Sequence, residues 1–148
     1  MAALQGIAWR AGKRAPMQTP DSAKVLVESG VAGDSRGRPG PRQVTVLASA
    51  GWDAACAQAG VELPWHTRRA NLLVDGLDLA GTTGKQLRIG RLCLEVTGEL
   101  EPCSRMDEAC PGLREALIPQ WRGGVTCRVV AAGEIAVGDP VTLEEPSD

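Results

Sequence analysis

Short strand-like segments limit what this chain can fold into. Seven runs of β-branched or alternating apolar residues are separated by turn signals rich in glycine and proline, and only one segment has convincing helical spacing. The runs cover residues 4–9, 24–28, 43–47, 72–74, 86–89, 92–96 and 125–130, and residues 133–143 add a short strand, a turn and a final strand. This pattern predicts an all-β barrel or sandwich with helical insertions.

The sequence also predicts the bounds of the helical segments and the pairing of one hairpin. Ser49 is expected to cap a helix that ends at Gly60, where a left-handed residue is favourable. Residues 106–117 should form one or two short helical turns, because prolines interrupt them. Residues 86–89 and 92–96 are so close in sequence that they should pair as a hairpin.

Size and composition bound the class of protein. The 148 residues suit one domain, residues 1–148, with an acidic, frayed tail over residues 144–148. The formal charge of −2 gives no reason to expect nucleic acid, and no apolar run approaches membrane-spanning length. Five cysteines without a Cys-x-x-Cys pair indicate a reducing cytoplasm rather than a disulfide framework.

Cys103 is the first candidate for chemistry. It follows Pro102, which cannot donate to a strand ladder, so the preceding strand should stop and leave the thiol on a loop. The nearby Arg105 favours the thiolate, the form that binds soft metals and attacks electrophiles. The alternative is a small hydrophobic residue buried under a turn. With one histidine and no tyrosine, the chain lacks a multi-histidine metal site and must rely on Cys, Asp, Glu, Arg or a cofactor.

Arginine outnumbers lysine, since only three of the 16 basic residues are lysines. Three arginines, Arg36, Arg38 and Arg42, lie in a segment of glycines and prolines that should lack regular structure. This segment is either a solvated loop or an anion-binding lip, because guanidinium groups grip phosphate and carboxylate in a planar fork. A GC-rich genome would produce the same bias toward arginine.

The sequence leaves the roles of several other residues undecided. Asp34 and Asp78 are candidate proton donors or simple turn caps. His66 is expected to be a surface or hydrogen-bonding residue in a loop. Cys110 is a candidate resolving thiol, whereas Cys56, Cys93 and Cys127 fall inside predicted elements and read as core.

Five pieces of sequence together resemble the MOSC family, which includes the C-terminal domain of molybdenum cofactor sulfurases and small free-standing bacterial proteins. In order, they are Gly33-Asp34; Arg69-Ala70-Asn71-Leu72 leading into Gly76-Leu77-Asp78-Leu79; Leu87-Arg88-Ile89-Gly90; Pro102-Cys103; and Gly133-Glu134-Ile135 with Val137-Gly138-Asp139. The resemblance implies a closed or partly open β-barrel, like the barrel domain of pyruvate kinase, with one or two short helices.

The resemblance also implies a cofactor and a set of site residues. The cofactor is the molybdenum cofactor, a pterin dithiolene that bears a phosphate or nucleotide, and Cys103 is the catalytic residue and metal ligand. The residues expected around the cofactor are Arg69 and Asn71 by motif position, and Arg36, Arg38, Arg42 and Arg105 by their charge.

The function implied by this resemblance is cofactor binding through Cys103, with terminal reduction of N-hydroxylated compounds as the expected activity. The alternative is a non-catalytic carrier of sulfur or cofactor that uses a Cys103 persulfide. No pyridoxal-phosphate domain is expected in this chain, so sulfur would be received from a donor protein. The N-terminal barrel extension of longer relatives is likewise not expected in this chain, which weakens the case for reduction. Expected partners are the cofactor or a sulfur donor protein, with a separate redox partner, and neither nucleic acid nor membrane.

Overall fold

The chain folds around a curled seven-stranded β-sheet. The computed structural model describes residues 2–146, so the last two residues of the predicted tail lie outside the described part. The strands are β1 Ala3–Ile7, β2 Ser22–Leu26, β3 Gly30–Val31, β4 Val44–Ala48, β5 Leu72–Asp75, β6 Gln86–Ile89, β7 Leu92–Glu99, β8 Val125–Ala131, β9 Gly133–Ala136 and β10 Thr142–Glu144; the helices are α1 Ser49–Ala59, α2 Ser104–Ala109 and α3 Leu113–Ala116, with 3₁₀ turns at Trp65–Arg68 and Pro119–Trp121.

The main sheet has the order β1-β5-β4-β8-β7-β6-β10, and β4–β5 is its one parallel pair. Backbone hydrogen bonds join its first strand to the segment that leads into its last strand. Leu4 donates to the Asp139 carbonyl over 2.8 Å and accepts from the Gly138 amide over 2.7 Å. The sheet therefore curls into a half-barrel, and the predicted mainly β, barrel-like fold with a few short helices is confirmed. A smaller sheet of order β3-β2-β9 completes the β structure of residues 2–146.

Two apolar clusters pack on opposite faces of the central strands. Val46 and Leu72 are buried inside the curled sheet, whereas their neighbours Leu47 and Leu73 are buried against the helices. Successive side chains of a strand point to opposite faces, so β4 and β5 serve both clusters. The helices cover one side of the sheet and leave the ends of β4, β7 and β8 available to form a site.

Most predicted elements are present within a few residues, and the 86–89/92–96 hairpin is confirmed. Three details were wrong. Ser49 is the first residue of α1 rather than its cap, and its hydroxyl donates to Asp75 over 2.9 Å. Gly30–Val31 form β3 inside the segment that we expected to lack regular structure. Glu144, assigned to the tail, is the last residue of β10 and pairs with Arg88. Gly60 ends α1 with a φ of 72°, as expected.

Candidate active site

A cavity of about 770 Å³ opens where the ends of β4, β7 and β8 meet α2 and the segment between β3 and β4. Its volume lies within the usual range for small-molecule sites. All seven predicted site residues line it: Arg36, Arg38, Arg42, Arg69, Asn71, Cys103 and Arg105. The fold thus brings together side chains from three separate parts of the sequence, residues 36–42, 69–71 and 103–105. We call this cavity the arginine pocket.

Positive charge dominates the arginine pocket. Eight arginines line it, against the three carboxylates of Asp34, Glu99 and Glu101, although the whole chain has a formal charge of −2. None of the three lysines, all of which lie within the described residues, lines it. The ion pairs among residues 2–146 involve none of these eight arginines. Eight of the 16 basic residues thus gather at one cavity without an ion-pair partner among the described residues, so the pocket is suited to anions.

Arg68 is one of three pocket arginines that the sequence analysis missed; the others are Arg10 and Arg114. Its buried guanidinium donates from Nε to the Gly123 carbonyl over 3.0 Å and from Nη2 to the Leu100 carbonyl over 2.8 Å. Burial lowers the pKa of Arg68 to about 10, while Cys103 acts in the opposite direction. These bonds hold the chain just before Cys103. The sequence signal was only its position beside the Arg69 motif.

Arg10 is also buried, and its Nη1 donates to the Lys13 carbonyl over 2.9 Å. Its pKa is lowered first by burial and then by the charges of Arg69, Arg36 and Arg105. Guanidinium groups from three other segments therefore repel that of Arg10. Such repulsion favours an anion between them, since an anion would relieve it.

The segment that carries Arg36, Arg38 and Arg42 is firmly held; we call residues 32–43 the arginine loop. The buried Gln43 donates to the Val27 carbonyl over 2.7 Å and to the Gly37 carbonyl over 3.1 Å, and it accepts from the Val129 amide over 2.9 Å. A Cβ on Gly37 would lie 1.6 Å from the Ser29 carbonyl oxygen, so this close approach requires glycine. The exposed arginines therefore project from an anchored backbone.

Cys103 immediately precedes α2 in an extended conformation and is exposed at the pocket. Of the five cysteines, Cys56, Cys93 and Cys127 are buried, and burial raises the pKa of each of their thiols. Cys110 is half-buried at the other end of α2. The prediction that Cys103 lies outside the strand is correct, and the buried alternative is wrong. No group of three or more His, Cys, Asp or Glu side chains in the described part could hold a metal ion, so a metal at Cys103 would need other ligands.

The comparisons with known proteins agree with this geometry. The family model of the MOSC domain matches residues 32–142, which include the arginine loop and Cys103. The chain belongs to the MOSC domain family. The comparison with curated proteins found no significant sequence match.

Solved structures show the same fold at low sequence identity. YuaD from Bacillus subtilis is 18% identical with a TM-score of 0.79, over 99% of this chain and 98% of that one. YiiM from Geobacillus stearothermophilus is 19% identical with a TM-score of 0.72, over 98% of this chain and 76% of that one. YiiM from Escherichia coli is 17% identical with a TM-score of 0.71, over 99% and 71%. At this identity the likeness concerns the fold of the MOSC domain.

Asn71 has a framework role in this MOSC domain. Its Oδ1 accepts from the Thr45 amide over 3.0 Å and the Thr45 hydroxyl over 3.2 Å. Its Nδ2 donates to the Ala8 carbonyl over 3.1 Å and to Asp34 Oδ2 over 3.2 Å. Because both polar atoms are engaged twice, Asn71 joins β4, the end of β1 and the arginine loop. The motif position pointed to a cofactor contact, and the sequence contained no signal for these bonds.

We expect Asn71→Ala to lower the free energy of unfolding by about 2 kcal/mol or more, since it leaves buried backbone groups of Thr45 and Ala8 without partners. Asn71→Asp should also destabilise, because it brings a second carboxylate against Asp34. Urea denaturation measures both effects. The Asn71→Asp loss should shrink toward acidic pH, and Asp34→Asn in the same chain should recover part of it. Equal losses at acidic and neutral pH would contradict this account.

The arginine pocket contains one of the two predicted proton-donor candidates, Asp34, and a carboxyl with a raised pKa, Glu99. Asp34 lines the pocket, whereas Asp78 is exposed outside it and caps a turn by accepting from the Ala80 amide over 3.0 Å. The sequence analysis did not single out Glu99, at the end of β7, as a site residue. Burial and then the charge of Glu101 raise the pKa of Glu99. A carboxyl whose pKa is raised in a pocket is suited to donate a proton. His66 lies in the 3₁₀ turn against Trp65 and is not among the pocket-lining residues.

The raised pKa of Glu99 sets a sign for the pH dependence of stability. The folded state holds this proton more tightly than the unfolded state, so the contribution is complete below the ordinary pKa of about 4.3 and is lost as pH rises through the raised value. Glu99→Gln should therefore gain stability relative to the wild type between about pH 4 and about pH 7. Denaturation at several pH values measures this. The exposed Glu28→Gln should show no such trend, and a flat Glu99→Gln difference would refute the assignment.

Proposed function

We propose that this MOSC domain binds a pterin molybdenum cofactor in the arginine pocket, with the Cys103 thiolate as protein ligand to the metal. The observation that carries the proposal is an exposed thiol in a pocket of eight arginines, none of which pairs with a carboxylate among the described residues. Thiolate is a soft donor of the kind such metals accept, and guanidinium groups suit an anionic phosphate tail.

The residues of the pocket fit such a group. A dithiolene brings its own sulfur donors, which agrees with a site that has one exposed thiol and no larger cluster of protein ligands among residues 2–146. Arg36, Arg69 and Arg105, which line the pocket and whose charges act on Arg10, would hold the phosphate. When bound, the cofactor supplies a metal that accepts and releases electrons.

The chain's own residues would then perform separate tasks. Arg68 fixes the approach to Cys103 through two backbone carbonyls. Glu99 would deliver a proton within the pocket, since burial raises the pKa of its carboxyl. A placed metal ligand and a proton source are what the reduction of an N-hydroxylated substrate requires. In that reaction the N–O bond of the substrate breaks and the oxygen leaves as water. That conversion consumes two electrons and two protons, and a separate electron-donating protein would supply the electrons. The same proposal places the chain in the cytoplasm, where five unpaired thiols persist.

The test is the metal and pterin content of the purified protein. Protein from a host that makes the cofactor should contain stoichiometric molybdenum and pterin, whereas protein from a host that cannot make it should contain neither. Metal-free, pterin-free protein from the competent host would overturn the proposal. No helix among residues 2–146 is long and apolar enough to cross a membrane.

The alternative function is a carrier of sulfur or cofactor that uses Cys103 without turnover. The exposure of Cys103 favours it, since a donor protein could reach this thiol. Intact-mass measurement separates the two functions. One added sulfur atom at Cys103 with no pterin would favour the carrier.

A further inference from the structure

We infer that the arginine pocket holds a second anionic group beside the cofactor's tail, so that the substrate is a phosphate-bearing small molecule gripped by Arg42. This inference rests on the proposed function, since it assigns the remaining charge of the same pocket. The inference narrows the substrate class: the substrate would carry a phosphate, unlike an uncharged N-hydroxylated compound.

The charge of the pocket exceeds what the cofactor would neutralise. Eight arginines against three carboxylates leave an excess of five positive charges. One phosphate contributes about two negative charges at neutral pH. A metal-bound thiolate at Cys103 contributes one more. About two positive charges then remain, which matches one further phosphate.

The arginines also fall into two groups. The first group lies beside Arg10, whose carbonyl accepts from the Ser35 amide next to Arg36 over 2.9 Å. Asn71, in the motif of Arg69, reaches the same place, since it and the Arg10 amide both donate to Asp34. The second group lies at the end of β7, where the Thr97 hydroxyl bonds the Pro41 carbonyl beside Arg42 and Arg68 donates to the Leu100 carbonyl just before Cys103. Arg42 therefore lies toward Arg68 and Cys103. A substrate that reacts near Cys103 would meet Arg42, while the cofactor tail would occupy the first group.

Arg42 is positioned as a gripping residue would be. Its neighbours on both sides are anchored, because the Thr97 hydroxyl on β7 hydrogen-bonds the Pro41 carbonyl and Gln43 is buried with three hydrogen bonds. The side chain of Arg42 itself is exposed, lines the pocket and makes no ion pair within the described residues. A fixed backbone with an unpaired guanidinium loses little entropy when it binds an anion. Its planar fork suits two phosphate oxygens.

The test uses cofactor-loaded protein and inorganic phosphate as the probe, with binding measured by calorimetry. Wild type should bind phosphate, and Arg42→Gln, compared at equal molybdenum and pterin content, should bind it at least tenfold more weakly. The matched control is Arg91→Gln, which removes an exposed arginine in the turn between β6 and β7, outside the pocket. It should leave phosphate affinity at the wild-type value.

Four results would overturn the inference. Loaded wild type that binds no phosphate, or Arg42→Gln that binds it as tightly as wild type, contradicts the second anion while the proposed function stands. Two phosphates per pterin in the extracted cofactor would show that a nucleotide extension of the cofactor occupies the second group. Protein that retains no cofactor would instead contradict the proposed function, and with it this inference. Metal analysis and phosphate binding thus separate the two failures.

Discussion

Cys103→Ser is expected to abolish molybdenum retention and leave the fold intact. Serine preserves the shape of the side chain, but its hydroxyl is a hard donor that stays protonated at neutral pH and replaces a soft thiolate. Because Cys103 is exposed, the free energy of unfolding should change by no more than about 0.5 kcal/mol. Elemental analysis of protein from a cofactor-competent host measures the first effect, and urea denaturation measures the second.

Cys110→Ser is the matched control for this variant, because it removes a half-buried thiol at the opposite end of α2. It should keep its full molybdenum content. A Cys103→Ser protein that still holds a full complement of metal would refute the ligand assignment. Thiol alkylation gives a second measure in the metal-free protein. Cys103 should react faster than the buried Cys93 and Cys127, and equal rates would indicate an inert residue.

The second large effect is expected at Arg68, where alanine should lower the free energy of unfolding by about 3 kcal/mol. The substitution leaves the carbonyls of Leu100 and Gly123 without the charged donor that now bonds both of them. It also removes the buried link between the 3₁₀ turn Trp65–Arg68 and the segment that precedes Cys103. Relief of the buried charge offsets part of the loss, since burial lowers the pKa of Arg68 to about 10.

Arg69→Gln is the control for Arg68→Ala, because Arg69 is the next residue and is exposed. It should stay within about 0.5 kcal/mol of the wild type. Arg68→Lys should be intermediate, since an ammonium group lacks the planar fork that reaches two carbonyls in fixed geometry. Urea denaturation measures all three. Equal stability of Arg68→Ala and Arg69→Gln would show that the two buried hydrogen bonds contribute nothing to folding.

Local patterns predicted the elements and the exposed thiol because both depend on neighbours in sequence. The alternation in residues 92–96 and the prolines after it sufficed to place Cys103 beyond a strand. The resemblance to the MOSC family supplied the barrel and six further site residues, all of which line the pocket. The roles of those residues stay predictions.

Local patterns could not predict contacts between residues that are distant in sequence. Arg68 and Arg69 are adjacent arginines, yet one is buried against carbonyls 32 and 55 residues away and the other is exposed. Burial, the larger cause of the raised pKa of Glu99, comes from the tertiary fold, and the nearby charge of Glu101 adds to it. The parallel pairing of β4 with β5 also depends on the whole sheet. In each case the deciding partner is set by the fold.

The arginine loop separates the residues that hold a binding segment from the residues that recognise a ligand. Gly37 and Gln43 fix its backbone, whereas Arg36, Arg38 and Arg42 are exposed and bear no part of the core. Substitutions at those three arginines should therefore cost little folding stability. A new ligand preference can arise in this domain by changing side chains on an unchanged loop, which makes the loop a natural place to redesign specificity.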